Sequence, residues 1–173
     1  MSDAPRAPKP ALRPLLPADT ARLADIFCAA IEILAEEDYS EAQRAAWMGV
    51  SDDTESFRKK LAAGLTLVAT IAGEPVGFAT LKGADAVDML YVHPDQSRAG
   101  VATMLVDALE KLAFARGAKK LTTDASDTAK PFFLGRGYIP RTRNVASVGD
   151  EWLANTTMTK DAAIGEPPTR TLQ

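Results

Sequence analysis

The chain has 173 residues, 46% of them hydrophobic, enough to bury one good core and, by length, to form one domain. A formal net charge of −3 and an isoelectric point near 5.2 argue against a nucleic-acid binder that relies on a basic surface. One cysteine excludes an internal disulfide, and a single histidine beside it offers no zinc cluster. No apolar run approaches a membrane span and the start of the chain has no signal-type apolar segment, so the expectation is a soluble, cytoplasmic protein with no metal and no nucleic-acid or membrane partner.

Residues 1–10 are rich in Pro and Ala and are expected to be disordered. Ala11 to Leu15 reads as a short strand that Pro14 confines to an edge or an end. Pro17-Ala18-Asp19-Thr20 starts a helix, capped by Asp19 or Thr20, whose buried face is Leu23, Ile26, Phe27, Ala30, Ile31 and Leu34. Ser40 caps a second helix carrying Gln43, Arg44 and Trp47, and Ser51-Asp52-Asp53 caps a third that runs to Ala63 before Gly64. Leu65 to Ile71 and Val76 to Leu81 read as a hairpin joined at Ala72-Gly73-Glu74-Pro75.

The stretch 86–117 is the most informative. Ala86 to Val92 is short, apolar and stopped by Pro94, as a buried strand should be. Gln96-Ser97-Arg98-Ala99-Gly100 makes a turn, and from Val101 a helix places Val101, Leu105, Ala108, Leu112 and Ala115 on one face. Thr103, Asp107, Glu110 and Lys111 fall opposite, and Gly117 fits the position just past the helix end. A strand feeding a small-residue turn that opens a helix is suited to anions, because the first amides of the helix lack partners and carry partial positive charge. Lys119 to Asp124 is then a strand, parallel to 86–92 because a helix connects them. Ser126-Asp127 caps a short helix with Ala129, Phe132 and Phe133. Ile139 to Ser147 and Glu151 to Thr159 close as a hairpin, and 161–173 is a polar tail.

Val92-His93-Pro94-Asp95-Gln96-Ser97-Arg98-Ala99-Gly100-Val101-Ala102-Thr103 resembles the acyl-CoA-binding motif of the GNAT N-acetyltransferase superfamily, in which [Q/R]-x-x-G-x-[G/A] opens a helix after a V-x-P strand end. Gly100 and Ala102 match, whereas Ser97 stands in the first position, with Arg98 or Gln96 as the alternative pyrophosphate contact. Ser126 to Tyr138 resembles the family segment N-x-x-A-x-x-x-[Y/F]-x-x-x-G-[F/Y], with Ala129 and Gly137-Tyr138 matching and Phe133 where a tyrosine is common. Asp38-Tyr39-Ser40, Gln43 and Ala46-Trp47 resemble a bacterial, YafP-like subgroup of the family. The resemblance implies an α/β fold (a mixed α+β sheet) over residues 11–160, with antiparallel N-terminal strands, a splayed parallel pair at the centre and flanking helices.

It also implies a transferase that binds acetyl-CoA as cosubstrate and acetylates a primary amine by direct attack in a ternary complex. Leu90, Tyr91, Val92, Ser97, Arg98, Ala99, Gly100, Val101, Ala102, Thr103, Ser126, Phe132 and Phe133 are the expected cofactor contacts, and Tyr39 and Trp47 fall where the family builds its acceptor pocket. An amine mostly protonated near pH 7 requires a base. Asp88, in an otherwise apolar strand, needs a partner or a wet cleft. Asp124 ends the neighbouring parallel strand, where such sheets place ligands. Phe133 cannot protonate the departing thiolate, so Tyr138, Tyr91 or water takes that role. An acyl-CoA-binding module with little transferase activity is the alternative, and a nucleotide-phosphate binder lacks the P-loop Lys-Ser/Thr pair. The sequence leaves the acceptor amine and the oligomeric state, a homodimer included, open.

Overall fold

A computed structural model of the chain describes residue 4 and residues 6–163. Of the segment expected to be disordered, residues 1–3 and 5 lie outside the described residues, while 4 and 6–10 form neither helix nor strand. Strands β1 (Ala11–Pro14), β2 (Leu65–Ile71), β3 (Glu74–Lys82), β4 (Ala86–Val92), β5 (Lys120–Ser126), β6 (Ile139–Val148) and β7 (Glu151–Asp161) form one seven-stranded sheet in the order β1-β2-β3-β4-β5-β7-β6. All neighbours are antiparallel except β4 and β5, which run parallel. Of the expected tail, Asp161 closes β7, and 164–173 lie outside the described residues.

Helices α1 (Thr20–Leu34), α2 (Glu41–Met48) and α3 (Thr54–Ala62) cover one face of the β1–β4 half. Leu23, Ile26, Phe27, Ile31, Phe57 and Leu61 pack there against Val68, Phe78 and Met89. Helix α4 (Val101–Ala115) covers the other face, with Leu105, Val106, Leu109 and Ala113 against Ala79, Leu81, Val87 and Leu121. Helix α5 (Lys130–Gly135) joins that side through Phe133. Ser40 and Asp53 cap α2 and α3 as expected, accepting from the Gln43 and Ser56 amides. Gly117 takes φ 96° behind α4.

Several expectations are corrected. Asp19 caps nothing in α1: its carboxylate accepts from the Leu16 amide at 2.8 Å and pairs with both Arg13 nitrogens, which fastens β1 to the turn before the helix. Leu34, at the end of α1, is exposed and lines a cavity rather than the core. The buried stripe of α4 includes Val106, Leu109 and Glu110, and Ala115 is exposed. Glu110 is drawn inside by Arg136, Lys160 and the Tyr138 hydroxyl, which surround its carboxylate at 2.6–3.3 Å. β3 begins at Glu74 rather than Val76, because Ala72 and Gly73, both at positive φ, suffice for the turn. A register shift at Ala69/Thr70 accommodates Pro75 opposite Thr70. No helix among the described residues is long and apolar enough to cross a membrane.

The bidentate contact with Arg13 holds the Asp19 carboxyl below its ordinary value. The stabilisation is therefore complete above the ordinary carboxylate range and is lost as pH falls through the lowered folded-state value. Asp19→Asn is expected to cost about 1–3 kcal/mol at neutral pH and to flatten the acid limb of stability, read from urea unfolding between pH 7 and 3; parallel wild-type and variant pH curves would remove the carboxylate from that role.

Candidate active site

The site begins with a defect in β4. Met89 pairs with Thr80 and Val87 with Leu81, so Asp88 is an extra residue with no partner on β3. This bulge reverses the alternation of side chains. Val87 belongs to the α4 core and Met89, only two residues on, to the α1–α3 core. Asp88 is exposed at the bulge, which is how a carboxylate sits in an apolar strand without a counter-ion.

Beyond the bulge, β4 leaves β5. Their pairing consists of Ala86↔Thr122 and Val87↔Thr123, with the Thr123 hydroxyl donating to the Val87 carbonyl at 3.0 Å as the last link. From there β5 follows β7 while β4 follows β3. The His93 amide donates to Val76 on β3 at 2.8 Å, so alternation turns the N–H groups of Val92 and Leu90 to the opposite, open edge. Unpaired amides inside a sheet call for a ligand acceptor.

Two cavities meet at this edge. One, about 60 Å³, lies between the diverging strands and is lined by Asp88, Leu90, Tyr91, Asp124, Ser126 and Phe133, among others. The other, about 380 Å³, extends from Leu90, Tyr91 and Val92 past Trp47, Ser126, Ala129 and Phe132 to Ser97, Arg98 and Ala102. Gly100 caps α4 in the left-handed region at φ 78°, a conformation that a side chain would strain. The Ser97 and Ala99 amides are committed to the Pro94 and Gln96 carbonyls, and Met104 makes the first helical bond to Gly100 at 3.0 Å. The amides of Val101, Ala102 and Thr103 therefore precede that bond and suit an anion. Ser97 lines the larger cavity, whereas Ala99 lines neither. His93 accepts from the Asp95 amide through Nδ1 and holds the turn before them.

Asp124 alternates with the α4-facing Leu121, Thr123 and Ala125, so it faces the same side as α1–α3, and it accepts from the Thr157 hydroxyl at 2.6 Å. Asn144 donates to that hydroxyl at 2.8 Å, which orients it. The cap of the following turn is Ser126, accepting from the Ala129 amide, not Asp124. Tyr138 lines neither cavity. It is buried edge-on to Phe133, and its hydroxyl donates to Glu110 at 3.0 Å; burial, then the Glu110 charge, raise its pKa above the ordinary phenol value. The sequence placed it near the leaving thiolate, but packing turns it into the α4–α5 seam.

Tyr39 and Trp47 separate in the same way. Trp47 lines the larger cavity and donates from its indole to the Tyr91 hydroxyl at 3.2 Å. Tyr39 stacks edge-on to Trp47 at 5.4 Å but lines neither cavity. Its buried hydroxyl donates to Ala154 on β7 at 2.6 Å and accepts from the Asp127 amide at 2.9 Å. Burial raises its pKa. Asp127, kept below its ordinary value mainly by the two-pronged contact with Arg143, is the neighbouring anchor on the hairpin. Thr128 donates to Asp38 at 2.8 Å. These tethers close the end of the cleft between the α1–α2 corner and the β5–α5 loop. No local pattern signals them, since the partners are 88 to 115 residues apart. No set of three ligating side chains suited to a metal occurs among the described residues.

A family model for the acetyltransferase (GNAT) domain matches residues 35–162. The chain is 35% identical over 144 residues to an uncharacterized N-acetyltransferase, YafP, of Escherichia coli strain K12, covering 83% of this chain and 91% of that protein. A GCN5-related N-acetyltransferase from Rhodopseudomonas palustris superposes with a TM-score of 0.88 at 57% identity, over 90% of this chain and 98% of that one. PaiA N-acetyltransferase from Thermoplasma acidophilum, solved in complex with coenzyme A, shares the fold with a TM-score of 0.70 at 16% identity, over 89% and 99% of the chains.

Tyr39→Phe leaves a buried amide and a carbonyl without their partner. It is expected to lower stability by about 1–3 kcal/mol in urea unfolding, whereas a purely substrate-contacting tyrosine would leave the unfolding midpoint where it is.

Proposed function

The chain belongs to the GNAT acetyltransferase family, and from that premise we propose that it transfers the acetyl group of acetyl-CoA to a primary amine by direct attack in a ternary complex. The observation that carries this reading is the open edge of β4, with the Leu90 and Val92 amides facing a cavity that reaches the start of α4. In this reading the Val101, Ala102 and Thr103 amides, helped by Arg98, hold the pyrophosphate. The apolar wall of Ala129 and Phe132 lies along the pantetheine. The open-edge amides then face the thioester carbonyl, and donors fixed before the reaction stabilise the negative charge that grows on it. Seating both reactants in one cleft supplies proximity. No acylated side chain is required.

Asp124 is the proposed base. It lines the interstrand cavity, and Thr157 and Asn144 fix its orientation. It takes the proton from the ammonium form of the acceptor, directly or through one water. Asp88 faces it across the splay and favours an amine there electrostatically. After attack, the nitrogen's second proton passes through water to the departing thiolate as the C–S bond breaks, so amide, free thiol and protonated Asp124 balance the step. Tyr91 is the one tyrosine lining both cavities, and burial lifts its pKa above the ordinary value, which makes it a weaker acid. Phe133 favours a second reading, an acyl-CoA-binding module with little turnover.

Calorimetric titration with acetyl-CoA, CoA and ATP tests the cofactor site. Selective binding of the two CoA species is expected, and Gly100→Glu should weaken it at least about tenfold, or 1.4 kcal/mol. Gly100→Ala separates the strain of a side chain at φ 78° from the added charge. Absence of CoA binding would overturn the transferase reading. With an accepted amine in hand, Asp124→Asn is expected to lower kcat by about 10²–10⁴-fold while leaving acetyl-CoA affinity within about threefold; unchanged kcat would remove Asp124 as the base. Tight acetyl-CoA binding without acetylation of any amine would favour the binding module.

A further inference from the structure

A third cavity adjoins the interstrand one at Asp88. It is about 110 Å³ in volume and is lined by Lys60, Ala63, Gly64, Thr80, Lys82 and Asp88. Asp88 belongs to this cavity and to the interstrand one, so the bulge is the shared wall. The charge along the sheet is therefore ordered: two carboxylates, Asp88 and Asp124, at the splay, then two ammonium groups beyond it. Neither lysine takes part in an ion pair among the described residues. Lys60, in the last turn of α3, also answers that helix's dipole, but Lys82 ends a strand and has no such role.

We propose that the acceptor is an amine that also carries an anionic group, seated with its amine between Asp88 and Asp124 and its anion between Lys60 and Lys82. This rests on the reading that the amine attacks within the β4–β5 cleft. A second ammonium at the far end would meet two like charges, whereas an anion there would be attracted by both. The available volume admits a carboxylate or a phosphate. Lys82 lies opposite Ala86, and Asp88 and Leu90 are two and four residues farther along the strand. At about 3.4 Å per residue, Asp88 and Leu90 lie about 7 and 14 Å along the strand from Ala86, before the lysine side chains reach inward. A chain of about three to six carbons between amine and anion reaches the short end of that interval, with the flexible lysine stems covering the rest.

The test uses the full chain, acetyl-CoA and linear acceptors of matched length. Each has a primary amine at one end and a carboxylate, a phosphate, a hydroxyl or a second amine at the other. The expected result is a kcat/KM at least tenfold higher for an anionic terminus than for the hydroxyl or the diamine. In a Lys60→Gln, Lys82→Gln double variant that advantage should collapse to within threefold, mainly through KM. The carboxylate and phosphate arms tell the two anions apart. Equal or better use of the hydroxyl or diamine, or an advantage that persists in the double variant, overturns the proposal. Calorimetry with the same compounds on the CoA-saturated protein gives a readout independent of turnover. Lysine-dependent preference for the anionic amines supports the proposal even where nothing is acetylated, and equal or absent binding overturns it. The transferase reading is judged separately, by the acetyl-CoA titration.

Discussion

The parting of β4 from β5 is the constraint on which the rest of this molecule depends. A strand in the middle of a sheet normally has partners on both edges, and an unpaired amide there is costly once water is excluded. Here the pairing ends at Val87 and Thr123, and beyond them the Leu90 and Val92 amides face an open cleft. The bulge at Asp88 makes the break local: it reverses the alternation of side chains within two residues and sends Tyr91 into the α1–α3 core. There Tyr91 lies 4.7 Å from Phe27 and 5.6 Å from Phe78. β4 is thus anchored firmly on one edge and one face while its other edge stays free.

Such a gap would close or fray without supports on both sides. On one side, the Tyr39 hydroxyl ties the α1–α2 corner to β7 and to the turn after β5, and Arg143 fastens the same turn to β6. On the other side, Glu110 gathers Arg136, Lys160 and Tyr138 beneath α4 and α5. A buried charge cluster of this kind is weak evidence for net stability. Its effect lies in geometry, since it sets α5, and with it Phe132 and Phe133, against the helix whose first turn faces the cleft. The same cluster directs the Tyr138 hydroxyl at Glu110, in the seam away from the β4–β5 cleft.

The same geometry distributes charge. Carboxylates flank the splay, where an amine would lose a proton, and lysines stand beyond the bulge. The bulge residue lines both compartments, so a single backbone irregularity exposes one carboxylate to two cavities.

Local signals were sufficient for most of the chain. Ser40 and Asp53 name their helices, Ala72-Gly73 names a hairpin, and Gly100 takes the left-handed position that opens α4. The parallel relation of β4 and β5 followed from the intervening helix, and the small residues from Ala99 to Ala102 already marked the turn that opens α4. Those features depend on residues a few positions apart, where propensity and capping act. What only the tertiary structure decided depends on distant partners. Glu110 was buried by groups 26 to 50 residues away, and Tyr39 and Tyr138 became tethers to partners 28 to 115 residues away. A buried polar group takes whichever partner the fold brings within hydrogen-bond reach, and one-residue bulges such as Asp88 arise from pairing between strands. Neither is encoded in the spacing of residues along a single segment.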